Sequence, residues 1–216
     1  MAGASDLAGD VTAVDPSASP GPAGAIGLLA LQGGFSAHGR VLESLGVNVR
    51  EVRAPGDLAG LAALVLPGGE STTMMLGIER ESLTAPLAEF VASGKPVLAT
   101  CAGAIILDDT HLGLLDVTCD RNAYGGQVHS FEADLRVGDA EPFRGVFIRA
   151  PRITRVGEGV GALIEHDGES VAVRSGNVLA CTFHPELTPD DRIHRLFLSD
   201  LSHASVSDIN TKRRAA

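Results

Sequence analysis

Residues 96–107 read PVLATCAGAIIL: an apolar run, Pro96 to Thr100, passes straight into Cys101-Ala102-Gly103 and on into a second apolar run, Ala104 to Leu107. A short continuous apolar run bounded by small residues has the pattern of a strand buried on both faces, as in a parallel sheet covered by helices. The same pattern recurs upstream. Ala25 to Leu31 (AIGLLAL) ends at Gln32-Gly33-Gly34, and Ala62 to Leu66 (AALVL) runs into Pro67-Gly68-Gly69. Between them, Phe35 to Leu45 carries apolar Val41, Leu42 and Leu45 before Gly46, which predicts a helix with a glycine stop. Val47, Val49 and Val52 then predict another strand, and residues 71–93 a helix broken near Pro86. Strands alternating with helices predict a mainly parallel sheet with right-handed crossovers.

Downstream the pattern changes. Gln127 to Val137, Val146 to Arg149, Ala162 to His166, Val171 to Arg174 and Val178 to Phe183 are short segments, several joined by Asp-Gly or Ser-Gly-Asn turns. These predict an added antiparallel hairpin portion. A last helix is predicted over Asp190 to His203, burying Ile193, Leu196, Phe197 and Leu201. Residues 1–24, rich in Ala, Gly, Ser, Pro and Asp, read as a flexible leader, and 204–216 as a frayed tail, leaving one folded domain over 25–203.

Composition narrows the function. With 17 Lys and Arg against 27 Asp and Glu the net charge is −10, which argues against a nucleic-acid binder with its basic footprint. Aromatics are 4% and Trp is absent, so the core rests on Ala, Val, Leu and Ile, which favours a layered α/β domain. Cys101, Cys119 and Cys181 are odd in number and widely spaced, which suggests neither a disulfide framework nor a zinc site and fits a reducing, cytoplasmic setting. No signal peptide and no apolar stretch of bilayer length is visible, so no membrane partner is expected. The seven histidines, His38, His111, His129, His166, His184, His194 and His203, are scattered without ligand spacing, so no metal is expected. Apart from His184 they read as surface or core residues.

Three strand ends carry chemistry. Cys101, between an apolar strand and a helical run and flanked by small residues, fits a thiol nucleophile on a sharp strand-to-helix turn. It equally fits a small buried hydrophobe. His184-Pro185-Glu186 follows the strand 178–183. In extended geometry residues i and i+2 share a side, so Glu186 is expected beside His184 and able to fix its tautomer. The alternative is a strand-ending turn. Pro67-Gly68-Gly69-Glu70-Ser71-Thr72 exposes backbone N–H groups, with Ser71 as expected N-cap, and fits either an oxyanion or carboxylate site or an ordinary βα turn. Phosphate-loop spacing is missing.

Together, PGGEST (67–72), TCAG (100–103), RNAYG (121–125), FIRAP (147–151) and FHPEL (183–187), opened by LALQGG (29–34), resemble the glutaminase subunits of pyridoxal 5′-phosphate synthase, within the class I, triad-type glutamine amidotransferases. The resemblance runs from about residue 25 to about residue 200 and implies a three-layer, flavodoxin-like α/β domain. It implies Cys101 as nucleophile, His184 as base and Glu186 as its orienter, with an oxyanion hole from the N–H groups of Gly69 and Ala102. It implies glutamine binding by Gly69, Glu70, Ser71, Arg121, Ile148 and Arg149, the arginines suiting a carboxylate. The implied reaction hydrolyses L-glutamine to glutamate through a γ-glutamyl thioester, needs no cofactor, and passes ammonia to a (β/α)8-barrel synthase subunit in a large hetero-oligomer. The stretch between Cys101 and Arg121 is several residues shorter than the family's pattern, and Gly126 stands where the family commonly carries Arg. Two alternatives share this fold: the glutaminase of another amidotransferase, such as imidazole glycerol phosphate synthase, or a catalytically silent structural subunit.

Overall fold

A computed structural model describes residues 24–121 and 130–201. Its centre is a seven-stranded sheet in the order β2-β1-β3-β4-β11-β10-β9. The strands are β1 (Ile26–Leu29), β2 (Val49–Val52), β3 (Ala63–Leu66), β4 (Val97–Thr100), β9 (Gly161–His166), β10 (Glu169–Ser175) and β11 (Val178–Cys181). The first five in this order run parallel. β10 and β9 extend the sheet antiparallel.

Side-chain alternation divides the core in two. Ile26, Leu28, Ala63, Val65, Leu98, Leu179 and Cys181 face one side, with Leu42 of α1 (Phe35–Ser44) and Ile193, Phe197, Leu198 and Leu201 of a last helix, α5, over 192–201. Leu29, Leu64, Leu66, Val97, Ala99, Val178 and Ala180 face the other. There they meet α2 (Ser71–Arg80), α3 (Thr84–Ala92) and α4 (Ala102–Leu107). Helix, sheet and helix make the three layers expected of buried parallel strands. Since α1 and α2 leave neighbouring strands β1 and β3 for opposite faces, a crevice opens at the carboxyl edge between them, where α/β sheets hold their ligands.

Four sequence expectations need correction. The strand 178–183 belongs to both portions: β11 pairs antiparallel with β10 and parallel with β4. The helix break lies at 81–83, with Pro86 inside the first turn of α3, where its missing N–H costs nothing. Ser82 adopts φ +56° there, while Ser82 N–H donates to Glu79 O (3.0 Å) and Leu83 N–H to Ile78 O (2.8 Å). That is a Schellman stop made without glycine. Two strands are not anticipated by the sequence pattern, β5 (Val117–Asp120) and β8 (Arg152–Val156), which among the described residues pair with each other alone. The segment 143–149 begins earlier than expected, as β7 (Phe143–Ile148), and pairs with β6 (Ser130–Leu135). The expectations for 1–23, 122–129 and 202–216 lie outside the described residues. Among those described, no helix is long and apolar enough to cross a membrane.

Candidate active site

Because β1, β3, β4 and β11 are parallel, the turns after them share one edge of the sheet. β4 ends at Thr100, and Cys101 turns the chain with φ +47° and ψ −106° before α4 begins. A non-glycine residue in that region is strained by about 1–3 kcal/mol, and such strain gathers at functional sites. The turn is anchored: Cys101 N–H donates to Cys181 O at 2.8 Å, and Cys101 O accepts Ala104 N–H at 3.1 Å. Gly103 is required, because a Cβ there would stand 2.2 Å from Leu66 O of β3.

His184 follows β11, its N–H donating to Val146 O of β7 at 2.8 Å. The chain then enters a 3₁₀ turn, Pro185–Leu187, and not the extended segment expected. That tight turn brings the Glu186 carboxylate round to His184, whose Nδ1–H donates to Oε1 at 2.8 Å. The other nitrogen, Nε2, is thereby left as the one that can exchange a proton, and the imidazole and the Cys101 side chain both lie against Gly68. Burial works against a charged ring, yet the neighbouring Cys101 thiol and the hydrogen-bonded Glu186 carboxylate outweigh it and raise the His184 pKa to about 10. Burial would also neutralise Glu186, but the His184 hydrogen bond and the nearby His38 ring hold its carboxyl below the usual range. Burial pushes the Cys119 thiol up to about 12 and Cys181 well above its ordinary value.

The Pro67-Gly68-Gly69 turn after β3 packs against this pair. A Cβ on Gly68 would lie 2.4 Å from His184 Cε1 and 3.2 Å from Cys101 Cβ, so only glycine lets the turn pass. Gly68 O accepts Gly34 N–H at 2.8 Å, and Gln32 Oε1 accepts Glu70 N–H at 2.8 Å, tying the turns after β1 and β3 together. The N-cap of α2 is Glu70, not Ser71: its carboxylate accepts from Thr72 N–H (3.1 Å), Thr73 N–H (2.7 Å) and Thr73 Oγ1 (2.7 Å). The two bonds from Thr73, then those from Thr72, hold its pKa down to about 2. Ser71 is buried in the first turn. Arg121 Nη1 donates to Thr72 Oγ1 at 2.8 Å, at the start of the same helix. Ile148 ends β7 partly exposed and Arg149 follows with φ +44°, three residues beyond Val146, the strand's contact with His184.

Two residues read from sequence as bland prove to be part of this cluster. His38 of α1 and His194 of α5 are completely buried behind Glu186. His38 Nε2 lies 3.3 Å from Glu186 Oε2 and 3.1 Å from Thr100 Oγ1, and its Nδ1 lies 2.9 Å from His194 Nε2. A signal existed: His38 stands four residues before Leu42, and His194 three before Phe197, on the apolar face of each helix.

A cysteine on a strained turn, a histidine oriented by a carboxylate and a glycine turn with free edges form the constellation of acyl transfer to a thiol. Relatives agree. The chain is 51% identical over 181 residues to the pyridoxal 5′-phosphate synthase subunit PdxT of Bacillus licheniformis, covering 80% of this chain and 92% of that one. It is 50% identical over 186 residues to the subunit of the same name from Deinococcus radiodurans, covering 80% and 95%. Among solved structures, a glutamine amidotransferase superposes with a TM-score of 0.78 at 45% identity, covering 83% of this chain and all (100%) of the other. PurLQS from Thermotoga maritima, at 19% identity and a TM-score of 0.65 over 86% of this chain and 98% of that one, shares the fold. Matched over residues 28–203, the chain belongs to the SNO glutamine amidotransferase family.

Proposed function

We propose that this chain is the glutaminase subunit of a pyridoxal 5′-phosphate synthase. One observation carries the reading: the Cys101 and His184 side chains converge on the Gly68 turn at the carboxyl edge of the sheet, and Glu186 binds His184 from behind at 2.8 Å. The names of relatives at about half identity supply the pathway.

The Cys101 thiolate attacks the side-chain amide carbon of L-glutamine, its proton held by His184. Backbone N–H groups of Gly69 and Ala102 receive the oxyanion, Ala102 opening α4, where first-turn N–H groups have no partner within the helix. The C–N bond breaks as His184 returns the proton to nitrogen, and ammonia leaves. Water, deprotonated by His184, then cleaves the γ-glutamyl thioester to glutamate and free thiol. Gly69, Glu70, Ser71, Arg121, Ile148 and Arg149 bind glutamine, Glu70 through its backbone, since its carboxylate is spent on the helix cap. Ammonia passes to a separate barrel-shaped synthase subunit. The glutaminase domain spans 25–203, between a leader (1–24) and a tail (204–216), and three unpaired cysteines suit a cytoplasmic setting.

Glutamate release from L-glutamine, measured with and without the synthase subunit, tests this. Turnover is expected with the partner and none in Cys101→Ala. Wild-type turnover in Cys101→Ala would overturn the mechanism.

A further inference from the structure

The buried polar chain behind Glu186 has one consistent proton arrangement. Oε1 of Glu186 accepts from His184, while Oε2 is buried and accepts no well-aligned hydrogen bond, its contact being His38 Nε2 at 3.3 Å. His194 Nδ1 is likewise buried and meets no partner among the described residues. Suppose the His38 proton sat on Nδ1. His38 would then turn a lone pair toward the carboxylate, and His194, accepting at Nε2, would carry a buried N–H on Nδ1 with nothing to receive it. An orphaned buried donor costs about 1–3 kcal/mol. With the proton on Nε2, His38 faces Thr100 Oγ1 and Glu186 Oε2 as a donor, and its Nδ1 accepts from His194 Nε2–H. Only acceptor lone pairs, on His194 Nδ1 and Glu186 Oε2, then lack an aligned donor among the described residues, and no donor is orphaned. Burial lowers the pKa of both rings, His194 to about 3, so both stay neutral and keep this tautomer near pH 7.

We propose that His38, itself oriented by His194, is a positioning residue for the triad: its Nε2–H edge, bonded to Thr100 Oγ1 and 3.3 Å from the second carboxylate oxygen of Glu186, sets a positive dipole beside that carboxylate, so that it stays ionised with its first oxygen aimed at His184. The two histidines reach the site from α1 and α5, elements 156 residues apart in the chain, and meet beneath the sheet edge. The inference rests on the triad reading above. The titratable groups around the chain are His184 and Glu186 after β11, Cys181 at its end, Cys101 after β4, His194 in α5 and Asp191 just before it. Without the His38 N–H dipole beside it, buried Glu186 takes up a proton more readily. It then supports a charged His184 less, and Cys101 forms thiolate at higher pH.

The test uses His38→Leu, which fills the space without a donor, and His38→Gln, whose carboxamide N–H reaches the depth of Nε2. Expected for His38→Leu in the synthase complex is a fall in kcat of about 10–100-fold, the usual cost of removing a partner that orients a reactive group. KM for glutamine should stay within about twofold. The pH midpoint for alkylation of Cys101 by iodoacetamide should move up, and His38→Gln should restore most of both effects. An unchanged kcat and alkylation profile in folded His38→Leu would overturn the proposal, as would equal losses in the two variants. Should His38→Leu not fold, imidazole ¹⁵N shifts of the wild-type chain decide: a protonated Nε2 on His38 supports the proposal and a protonated Nδ1 overturns it. A wild-type chain that releases no glutamate, while the alkylation midpoint still moves in His38→Leu, would sink the glutaminase reading and leave the positioning role standing.

Discussion

Gly68→Ala should disable the site without unfolding the chain. The Gly68 backbone lies outside the left-handed region, so alanine brings no conformational penalty there. Its cost is the clash alone: the new Cβ would lie 2.4 Å from His184 Cε1, 2.9 Å from Nδ1 and 3.2 Å from Cys101 Cβ. Ordinary carbon contacts begin at about 3.5 Å, so the imidazole or the turn must shift by about 1 Å. His184 cannot retreat freely, since its Nδ1 is fixed on Glu186 at 2.8 Å and its N–H on Val146 O at 2.8 Å. A misplacement of about 1 Å at a reacting group costs about 10²-fold in rate. Overpacking of this kind destabilises by about 1–3 kcal/mol, which a domain of this size survives. Steady-state glutamate release with the synthase subunit, beside urea unfolding, should therefore show kcat down about 100-fold with a native transition retained. Gly56→Ala is the control, since a Cβ there meets nothing within 4 Å. Folded Gly68→Ala with wild-type kcat would refute the claim that this turn and His184 have no room to spare.

Two further outcomes follow from backbone and cap geometry. Glycine ordinarily destabilises relative to alanine, but at position 101, with φ +47°, the order should reverse. Cys101→Gly should exceed Cys101→Ala by about 1 kcal/mol in urea unfolding, both being inactive; the usual order would show that the turn is unstrained. Glu70→Ala removes the α2 cap and should cost about 1 kcal/mol near pH 7. The Glu70 carboxyl is depressed to about 2 from 4.5, so its contribution is complete above pH 4.5 and lost as pH falls toward 2. The gap between wild type and variant should close over that range, and a gap independent of pH would show that the carboxylate is not the cap.

Much of the fold was legible because buried parallel strands write themselves as unbroken apolar runs. β1, β3, β4 and β11 are buried at all four positions each, and each run stops at a turn of small residues or at His184. β5 and β8 left no such trace. Only one position in each is fully buried, and their region is tied by Arg155 to Asp109, Asp116 and Thr118, polar contacts without periodicity. The direction of β11 was half legible: its hairpin with β10 follows from the turn at 175–177, whereas its parallel pairing with β4 joins segments about 80 residues apart, which no local pattern encodes.

The site divides the same way. In a parallel sheet every carboxyl end lies on one edge, so marking where apolar runs stop at Gly69, Cys101 and His184 also marks where they meet in space. Glu186 came within reach for a different reason than extended-chain geometry, through a turn that Pro185 opens with its fixed φ. His38 and His194 obey another rule. Each lies on the apolar face of an amphipathic helix, a position that by itself signals only burial. What makes them more is tertiary: α1 and α5 cover the same face of the sheet, and Glu186 ends between that layer and the edge. A buried histidine needs an acceptor for its ring N–H, so two such residues on helices of one layer should be sought against each other before either is set aside as core. Applied to this chain, that rule leads from Leu42 and Phe197 to the His38–His194 pair, and from the pair to the unmatched oxygen of Glu186.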